Sequence, residues 1–296
     1  MILKKLILIS IAGLVLLAAG CSNESEETVN NQVPVTVRVD GFAIEQSEMP
    51  AKTRGTAVDS YEGVKALTLA FYKADGTEQT QLTQFKGSTS SGQTFGEFSL
   101  NLPMGSYTMV VVGRGHSAGD EFDITSSTSA AYTEGYPRET FVATQAVNIT
   151  TNTAQELTAT LDRVVAKVVV ASTDNRTANV SKIRTTFSAG GKSFNPSTGL
   201  ANDNEGYIKT LTIPSTAVET ITATSYLFLA TDEQTIDVTI ETLDADNNVL
   251  FSKKVTNVPL KRNRETRLTG AMFTAGTSAG SFMLNTDWIT GNNVSF

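Results

Sequence analysis

The chain contains a single histidine, His116, which is the natural starting point for a search for catalytic residues. It lies in the segment G-R-G-H-S-A-G, where Ser117 follows it directly. A serine nucleophile would need this histidine as its base and a third group to orient the ring. Ser117 in G-H-S-A-G and Ser278 in G-T-S-A-G have the G-x-S-x-G spacing of a nucleophile elbow, but an elbow stands between a strand and a helix, and no stretch of the chain has a helical pattern. The segment around His116 also lacks the Lys-Ser/Thr ending of a phosphate-binding loop. We therefore interpret it as a glycine-rich loop after a strand, and we predict no catalytic residue and no enzyme activity.

The segment L-D-A-D-N-N offers oxygen atoms that could bind calcium, from Asp244, Asp246 and Asn247. Its spacing lacks the glycine and the distal glutamate of a helical calcium loop, which favours a hairpin turn instead. A zinc site needs several cysteine or histidine ligands, and the chain has one of each. We predict no metal and no cofactor. A carboxylate pair of the glycosidase type stays open, because its spacing is three-dimensional.

The only cysteine, Cys21, follows a segment with the features of a targeting leader. Lys4 and Lys5 precede an apolar stretch over residues 6–17, which is too short to span a bilayer. The sequence L-A-A-G-C then resembles a bacterial lipoprotein signal, although Ala18 stands where leucine is usual. A diacylglycerol thioether and an N-acyl chain on Cys21 would provide enough buried lipid for stable anchoring. We predict that residues 1–20 are a signal peptide and that Cys21 is lipidated.

Acidic residues follow this cysteine in S-N-E-S-E-E, namely Glu24, Glu26 and Glu27. They resemble the surface-export signal of lipoproteins in Bacteroidota, and the alternative is a solvated acidic tether. The formal net charge of the chain is −7, and it has no basic patch interleaved with aromatic residues. Nucleic acid is therefore excluded as a predicted partner.

A basic joint, P-A-K-T-R-G-T-A-V-D, lies between the first two strand-like runs. It holds Lys52 and Arg54, with Gly55 and other small residues directly after the arginine. Exposed segments of small polar residues are preferred sites of proteolysis. The joint is therefore either a linker or a protease site, with cleavage between Arg54 and Gly55.

Period-two alternation of apolar and polar residues dominates the chain after residue 30 and predicts an all-β fold of sandwiches. The first such run places Val35, Val37 and Val39 on one face. The nearly continuous apolar run over residues 164–170 predicts a strand buried on both faces. We interpret the Ser-, Thr- and Gly-rich residues 115–138 as a loop excursion. The predicted segments are a leader with the first strand over 21–54, an N-terminal domain over 55–160 and a C-terminal domain over 161–296.

Several motifs together resemble the fimbrillin family, the type V pilins of Bacteroidales. They are the lipoprotein start, K-T-R after the first strand, L-D-R-V-V-A-K-V, V-P-L-K-R-N-R-E-T-R-L-T-G and F-M-L-N-T-D-W. The resemblance implies two tandem transthyretin-like β-sandwich domains and no enzyme activity. It also implies export to the outer membrane as a lipoprotein and cutting after Arg54 by an arginine-specific protease. Loss of the first strand, with Val35, Val37 and Val39, would open a groove for a strand of another subunit.

The C-terminal run over residues 281–296 is the predicted donor strand, with Phe282, Leu284 and Trp288 as its bulky apolar groups. The alternative is that this run completes the second sandwich of its own subunit. An arginine at the cleavage position together with a C-terminal strand favours a shaft-like subunit of a fimbrium over an anchor or tip subunit. The partners would be like or unlike fimbrial subunits and a host or bacterial surface ligand. The second hypothesis is a lipid-anchored adhesin or glycan-binding protein that does not polymerise, and the third is an enzyme.

Overall fold

The computed structural model describes residues 32–43, 58, 60–88, 94–216, 219–273 and 283–285, and every regular element in these ranges is a β-strand. The strands of the first half are Gln32–Ala43 (β1), Ala66–Lys73 (β2), Glu78–Phe85 (β3), Glu97–Pro103 (β4), Gly105–Arg114 (β5), Glu121–Ser126 (β6), Ser129–Glu134 (β7), Thr140–Ile149 (β8) and Gln155–Arg163 (β9). Those of the second half are Ala166–Ser172 (β10), Lys182–Phe187 (β11), Ser193–Phe194 (β12), Ile208–Thr212 (β13), Thr222–Leu227 (β14), Glu233–Leu243 (β15), Val249–Lys261 (β16), Glu265–Gly270 (β17) and Met283–Asn285 (β18).

The first sandwich is a single seven-stranded sheet folded over on itself, in the order β3-β2-β5-β8-β9-β1-β4. The fold lies between β8 and β9, which pair only at Phe141–Arg163 and Val142–Asp162. The two halves of the sheet therefore face one another, and their inward residues share one core. The core includes Val33, Val35, Val37 and Val39 of β1, Leu67 and Leu69 of β2, Met109 and Val111 of β5, and Leu161 of β9.

The second sandwich consists of two four-stranded sheets, β14-β10-β17-β18 and β13-β11-β15-β16. Its core is formed by the inward residues of both sheets, including Val168, Val170, Ile183, Val238, Ile240 and Leu268. The central strand β10 is buried on both faces, since Val168, Val169 and Val170 are each 1% exposed. The strand predicted over residues 164–170 is thus confirmed in character, although β10 begins at Ala166.

The two sandwiches repeat the same topology. The order β4-β1-β9 of the first corresponds to β14-β10-β17 of the second, and β3-β2-β5-β8 corresponds to β13-β11-β15-β16. The strand directions agree as well. β1 is antiparallel to β4 and parallel to β9, and β10 is antiparallel to β14 and parallel to β17. The predicted all-β architecture of two tandem sandwiches is therefore confirmed. The junction lies at Val164 and Val165, between the end of β9 and the start of β10.

A third, small sheet joins the two sandwiches, in the order β12-β7-β6. The hairpin β6–β7 is inserted between β5 and β8 of the first sandwich, and β12 is inserted between β11 and β13 of the second. The interpretation of residues 115–138 as a loop was therefore incomplete, since they contain this hairpin. A cluster of buried apolar residues from both sandwiches packs against this sheet, and in it the rings of Phe194 and Phe228 stack with centroids 4.4 Å apart.

Candidate assembly site

The first strand lies inside its sheet rather than on an edge. β1 pairs antiparallel with β4, Val37 opposite Phe98, and parallel with β9, Val37 opposite Leu157. The four alternate valines Val33, Val35, Val37 and Val39 are between 0% and 7% exposed. Their pairing on both sides and their burial follow from the period-two pattern, which turns every second side chain into the core.

The outer face of β1 carries charge. Arg38 projects between the two neighbouring strands, where its guanidinium lies 3.7 Å from Glu97 of β4 and 3.4 Å from Glu156 of β9. These pairs are about half exposed at the arginine, so they contribute little to stability but favour this register. Because Arg38 lies within the paired strand, it is a poor substrate for a protease.

The two ends of the segment that carries the predicted cleavage site are held close together. Arg54 and Gly55 themselves lie outside the described residues, as do Cys21 and the acidic residues after it. On one side, Phe42 at the end of β1 is fully buried. On the other side, Tyr61 packs against it with ring centroids 5.4 Å apart. Residues 44–57 are therefore the covalent link between β1 and the body of the sandwich.

A polar network fixes Tyr61 at this position. Its hydroxyl donates a 2.6 Å hydrogen bond to Glu139, whose carboxylate also pairs with Arg163 at 2.6 Å. Burial and then the hydrogen bond to Glu139 raise the pKa of Tyr61 to about 12. The neutral phenol therefore persists at physiological pH and keeps donating to the carboxylate.

The C-terminal run reaches the second sandwich at β18. Leu284 of this strand stands opposite Leu268 of β17, and three residue pairs form the ladder. Before it, the carboxylate of Asp174 accepts hydrogen bonds from the backbone N–H groups of Met272 and Phe273, each at 2.8 Å. The backbone pairing of β18 corresponds to the alternative in which the run completes its own sandwich. Phe282 and Trp288 lie outside the described residues.

The histidine segment is not arranged as a hydrolase triad within the described residues. His116 Nδ1 lies 3.5 Å from Nη1 of Arg114, and its ring packs against Phe85 with centroids 5.0 Å apart. Asp120, the adjacent carboxylate, is held instead by Arg138 through two hydrogen bonds of 2.7 and 3.0 Å. Burial would raise the pKa of Asp120, but its bonds to Arg138 outweigh burial and hold it below its ordinary value.

Sequence reasoning missed Arg114, which is 4% exposed. The signal was available: Arg114 continues the alternation of Val110 and Val112 on β5, so the period-two rule puts it on the same buried face. Its guanidinium carbon lies 4.8 Å from the centroid of the Phe122 ring, and burial lowers its pKa. A buried guanidinium beside an aromatic ring was hidden by the glycines that surround it in the sequence.

The segment L-D-A-D-N-N, for which calcium binding was the alternative to a hairpin turn, forms a tight hairpin turn between β15 and β16. Asp244 Oδ1 accepts hydrogen bonds from the backbone of Asp246 and Asn248, at 2.9 and 2.8 Å. Asn247 takes a positive φ of 72°, as asparagine in such turns often does. Across the part of the chain that the structure describes, no group of His, Cys, Asp or Glu residues could hold a metal ion, and no helix is long and apolar enough to cross a membrane.

Comparison with known proteins places the chain in a family. A model described as "Family of unknown function (DUF6562)" matches residues 26–290, so the chain belongs to this family. No curated protein matches it in sequence. Two structures share its fold at 12% identity, both of candidate adhesins from Bacteroides ovatus. One has a TM-score of 0.52 and covers 88% of this chain and 97% of its own.

The second has a TM-score of 0.50, with 81% of this chain and 88% of the other covered. The fimbrial anchor protein Mfa2 from Porphyromonas gingivalis is also similar, at 11% identity and a TM-score of 0.45, with 86% and 97% covered. The two Bacteroides ovatus structures confirm the resemblance predicted from the sequence at the level of fold.

Proposed function

We propose that this chain is a structural subunit of cell-surface fimbriae that assembles by exchange of β-strands, and that it is not an enzyme. The observation that carries the proposal is the position of β1, paired on both sides and joined to the sandwich through residues 44–57. A single cut after Arg54 would turn this strand into a separate peptide held only by non-covalent contacts. The candidate adhesins that share the fold support a role at the cell surface.

A sandwich that has lost β1 would be too unstable to persist without a replacement strand. β1 buries five large apolar side chains, Val33, Val35, Val37, Val39 and Phe42. At about 1.5–3 kcal/mol each, their loss would cost roughly 8–15 kcal/mol, which is comparable to the whole stability of a domain. Loss of β1 also leaves unpaired N–H and C=O groups along β4 and β9, which form a template for another strand. The groove would therefore bind a strand with the same alternation by β-augmentation.

The C-terminal run is the proposed donor. If the run is extended throughout, its spacing would place Phe282, Leu284 and Trp288 on one face, as the valines of β1 are. In the free subunit, β18 pairs with β17 over three residue pairs at the edge of its sheet. Such a short edge strand has few hydrogen bonds to lose, and we propose that it moves to the groove of the next subunit.

Before assembly, Cys21 would carry the lipid that holds the precursor at the outer membrane, and cleavage after Arg54 would release the subunit from it. The partners would be other fimbrial subunits, of the same or another kind, an arginine-specific maturation protease, and a host or bacterial surface ligand. Residues 24–27 would direct export to the surface.

The test uses the leaderless chain treated with an arginine-specific protease. We expect one cut after Arg54, followed by ladders of subunits that survive mild detergent. Arg54→Lys is the matched control, because it keeps the charge and removes the cleavage site. A peptide of residues 281–296 should displace the freed β1 fragment from the cut monomer, while the same peptide with Leu284→Lys should not. Equal clipping and assembly of the Arg54→Lys chain would disprove the maturation step.

The second candidate is a lipid-anchored surface adhesin that does not polymerise. The in-chain pairing of β18 with β17 favours it, because a C-terminal strand committed to its own sandwich cannot be donated. The same experiment separates the two functions, since this candidate would remain monomeric after cleavage and would not bind the peptide of residues 281–296.

A further inference from the structure

A cavity of about 510 Å³ opens at the end of β5, between the inserted hairpin and β3. Its volume lies within the range of small-molecule sites in proteins. The residues that give it chemical character are Arg114 and His116 from the glycine-rich segment, Phe85 from β3, and Glu121, Phe122 and Asp123 from β6. None of them belongs to β1 or to the C-terminal run, so the cavity is separate from the proposed assembly site.

The base of the cavity holds a buried cation with an unmet donor. Arg114 is 4% exposed, and its Nε–H has no hydrogen-bond acceptor among the described residues. The carboxylate of Asp120 also lines the cavity, but it is already bound in two places by Arg138. Buried polar groups are rarely left unsatisfied, because the loss of hydration is costly. Arg114 lines the cavity, so a ligand oxygen there would accept a hydrogen bond from its guanidinium.

The wall of the cavity is aromatic and partly open to solvent. Phe85 is 38% exposed, and the ring of His116, which also lines the cavity, packs against it with centroids 5.0 Å apart. An exposed aromatic face beside polar groups fits a ligand with one apolar face and several hydroxyl groups, which is the character of a sugar ring. Phe122 completes the wall and holds the guanidinium of Arg114 against its own ring.

The charge at the rim decides which sugars fit. Glu121 and Asp123 are exposed carboxylates that can accept hydrogen bonds from hydroxyl groups. Among the residues that line the cavity, these two carboxylates outweigh the charge of Arg114, because Asp120 is neutralised by Arg138. An anionic ligand would be repelled at the rim, whereas a neutral ring would use the donor at the base and the acceptors at the rim.

We propose that this cavity binds a neutral sugar residue of a glycan, with Arg114 as hydrogen-bond donor, Phe85 as the stacking surface, and Glu121 and Asp123 as acceptors. The site operates in the single subunit and does not depend on cleavage or strand exchange. It would give the surface protein a ligand of its own, whether or not the protein polymerises.

Saturation-transfer NMR on the uncut chain tests the proposal, with methyl glycosides of neutral hexoses and N-acetylhexosamines as probes and methyl glucuronide as the anionic comparison. We expect at least one neutral glycoside to receive saturation and to bind at least tenfold more weakly to Phe85→Ala. Leu82→Ala is the matched control, since Leu82 lies on the same strand with 37% exposure and does not line the cavity. This control should bind as the unchanged chain does.

A second variant examines the donor. Arg114→Met keeps a long side chain without a donor, and we expect it to weaken neutral-sugar binding at least tenfold. If this variant does not fold, the Phe85→Ala comparison decides alone. The proposal is overturned if no neutral glycoside binds, if Phe85→Ala and Leu82→Ala behave alike, or if methyl glucuronide binds more tightly than every neutral probe.

Discussion

The strands β1 and β10 occupy equivalent places in two sandwiches of the same topology, yet they differ in how the chain enters and leaves them. Each lies between one antiparallel and one parallel neighbour. β10 follows β9 after only Val164 and Val165, both of which are buried. β1 is joined to its own sandwich through residues 44–57 on one side and follows residues 1–31 on the other. The two strands therefore share a topology and differ in their covalent connections, and the proposed exchange of β1 rests on that difference.

The two strands also differ in burial, since β1 is buried on one face and β10 on both. β1 alternates between buried and exposed residues, so a replacement strand needs to match only one face. β10 is covered on both faces, and its Val169 is buried away from the core that holds Val168 and Val170. A strand that contacts protein on one face can be replaced by a simpler partner than one enclosed on both.

The largest effect is expected from charge placed at the centre of each strand. Val37→Asp and Val168→Asp should each lower the free energy of unfolding by about 3–5 kcal/mol, because an unpaired carboxylate is buried. The two variants should differ in whether an added wild-type peptide restores the folded sandwich. After cleavage following Arg54, a wild-type peptide of residues 32–43 should restore the first sandwich of the Val37→Asp chain.

A peptide of residues 166–172 should not restore the Val168→Asp chain, because the defective β10 remains covalently in its place. Hydrogen exchange of backbone amides, followed for each sandwich separately, measures both outcomes. Equal rescue of the two variants, or of neither, would remove the distinction between the strands.

A smaller effect is expected at the end of β1. Phe42→Ala removes ring contacts to Tyr61 and Phe141, whose centroids lie 5.4 and 4.7 Å away, and should cost about 3 kcal/mol. It should also speed release of β1 after cleavage, because these rings hold the end of the strand. Chemical denaturation and the release rate are the measurements. Phe85→Ala, at an exposed ring, serves as the control and should change neither by much; a similar loss in both variants would count against a specific role of Phe42.

The insertion in the first sandwich and the tight turn in the second should respond differently to acid. The pKa of Asp120 is lowered in the folded protein, so its contribution is present above the unfolded pKa and is lost as pH falls through the folded one. Asp120→Asn should cost about 1–3 kcal/mol at neutral pH and flatten the acid limb of stability below about pH 4.

The comparison is Asp244→Asn in the exposed turn, where the hydrogen bonds from Asn248 hold the pKa of Asp244 down. We expect a smaller change there, because the turn is solvated. Urea unfolding between pH 3 and pH 7 measures both, and an Asp120→Asn chain with an unchanged acid limb would contradict the assigned role of the Arg138 pair.

The smallest effect is expected from surface charge. Arg38→Ala removes the exposed contacts of β1 to Glu97 and Glu156 and should cost less than about 1 kcal/mol, decreasing with salt. Lys254→Ala removes a similar exposed pair with Asp237 in the second sandwich and should behave alike. A much larger cost at Arg38 would mean that charge, rather than apolar burial, retains β1.

Much of this architecture could be predicted from alternation along the chain, and the missing part has a physical cause. Strands such as β1 and β10 carry their own burial pattern. The hairpin β6–β7 carries only a short one, with Phe122 and Ile124 on β6 and Ala130 and Tyr132 on β7. It lies in a Ser-, Thr- and Gly-rich stretch that resembles a loop, and it pairs with β12 from the other sandwich. The repeat of strand order was also invisible, since it concerns which strands pair across long sequence separations. Arg114 did carry a signal, its alternation with Val110 and Val112, but the glycines on either side of it resemble a loop.

The shared sheet β12-β7-β6 has a mechanical consequence. Backbone bonds link Ser193 to Ala131 and Phe194 to Ala130, and the stacked rings of Phe194 and Phe228 lie beneath them. Bending at Val164 and Val165 would have to break these contacts, so the short connection between the sandwiches cannot act as a free hinge. In any filament built from this chain, compliance would be concentrated at the joints between subunits, and each subunit would transmit tension as a stiff link.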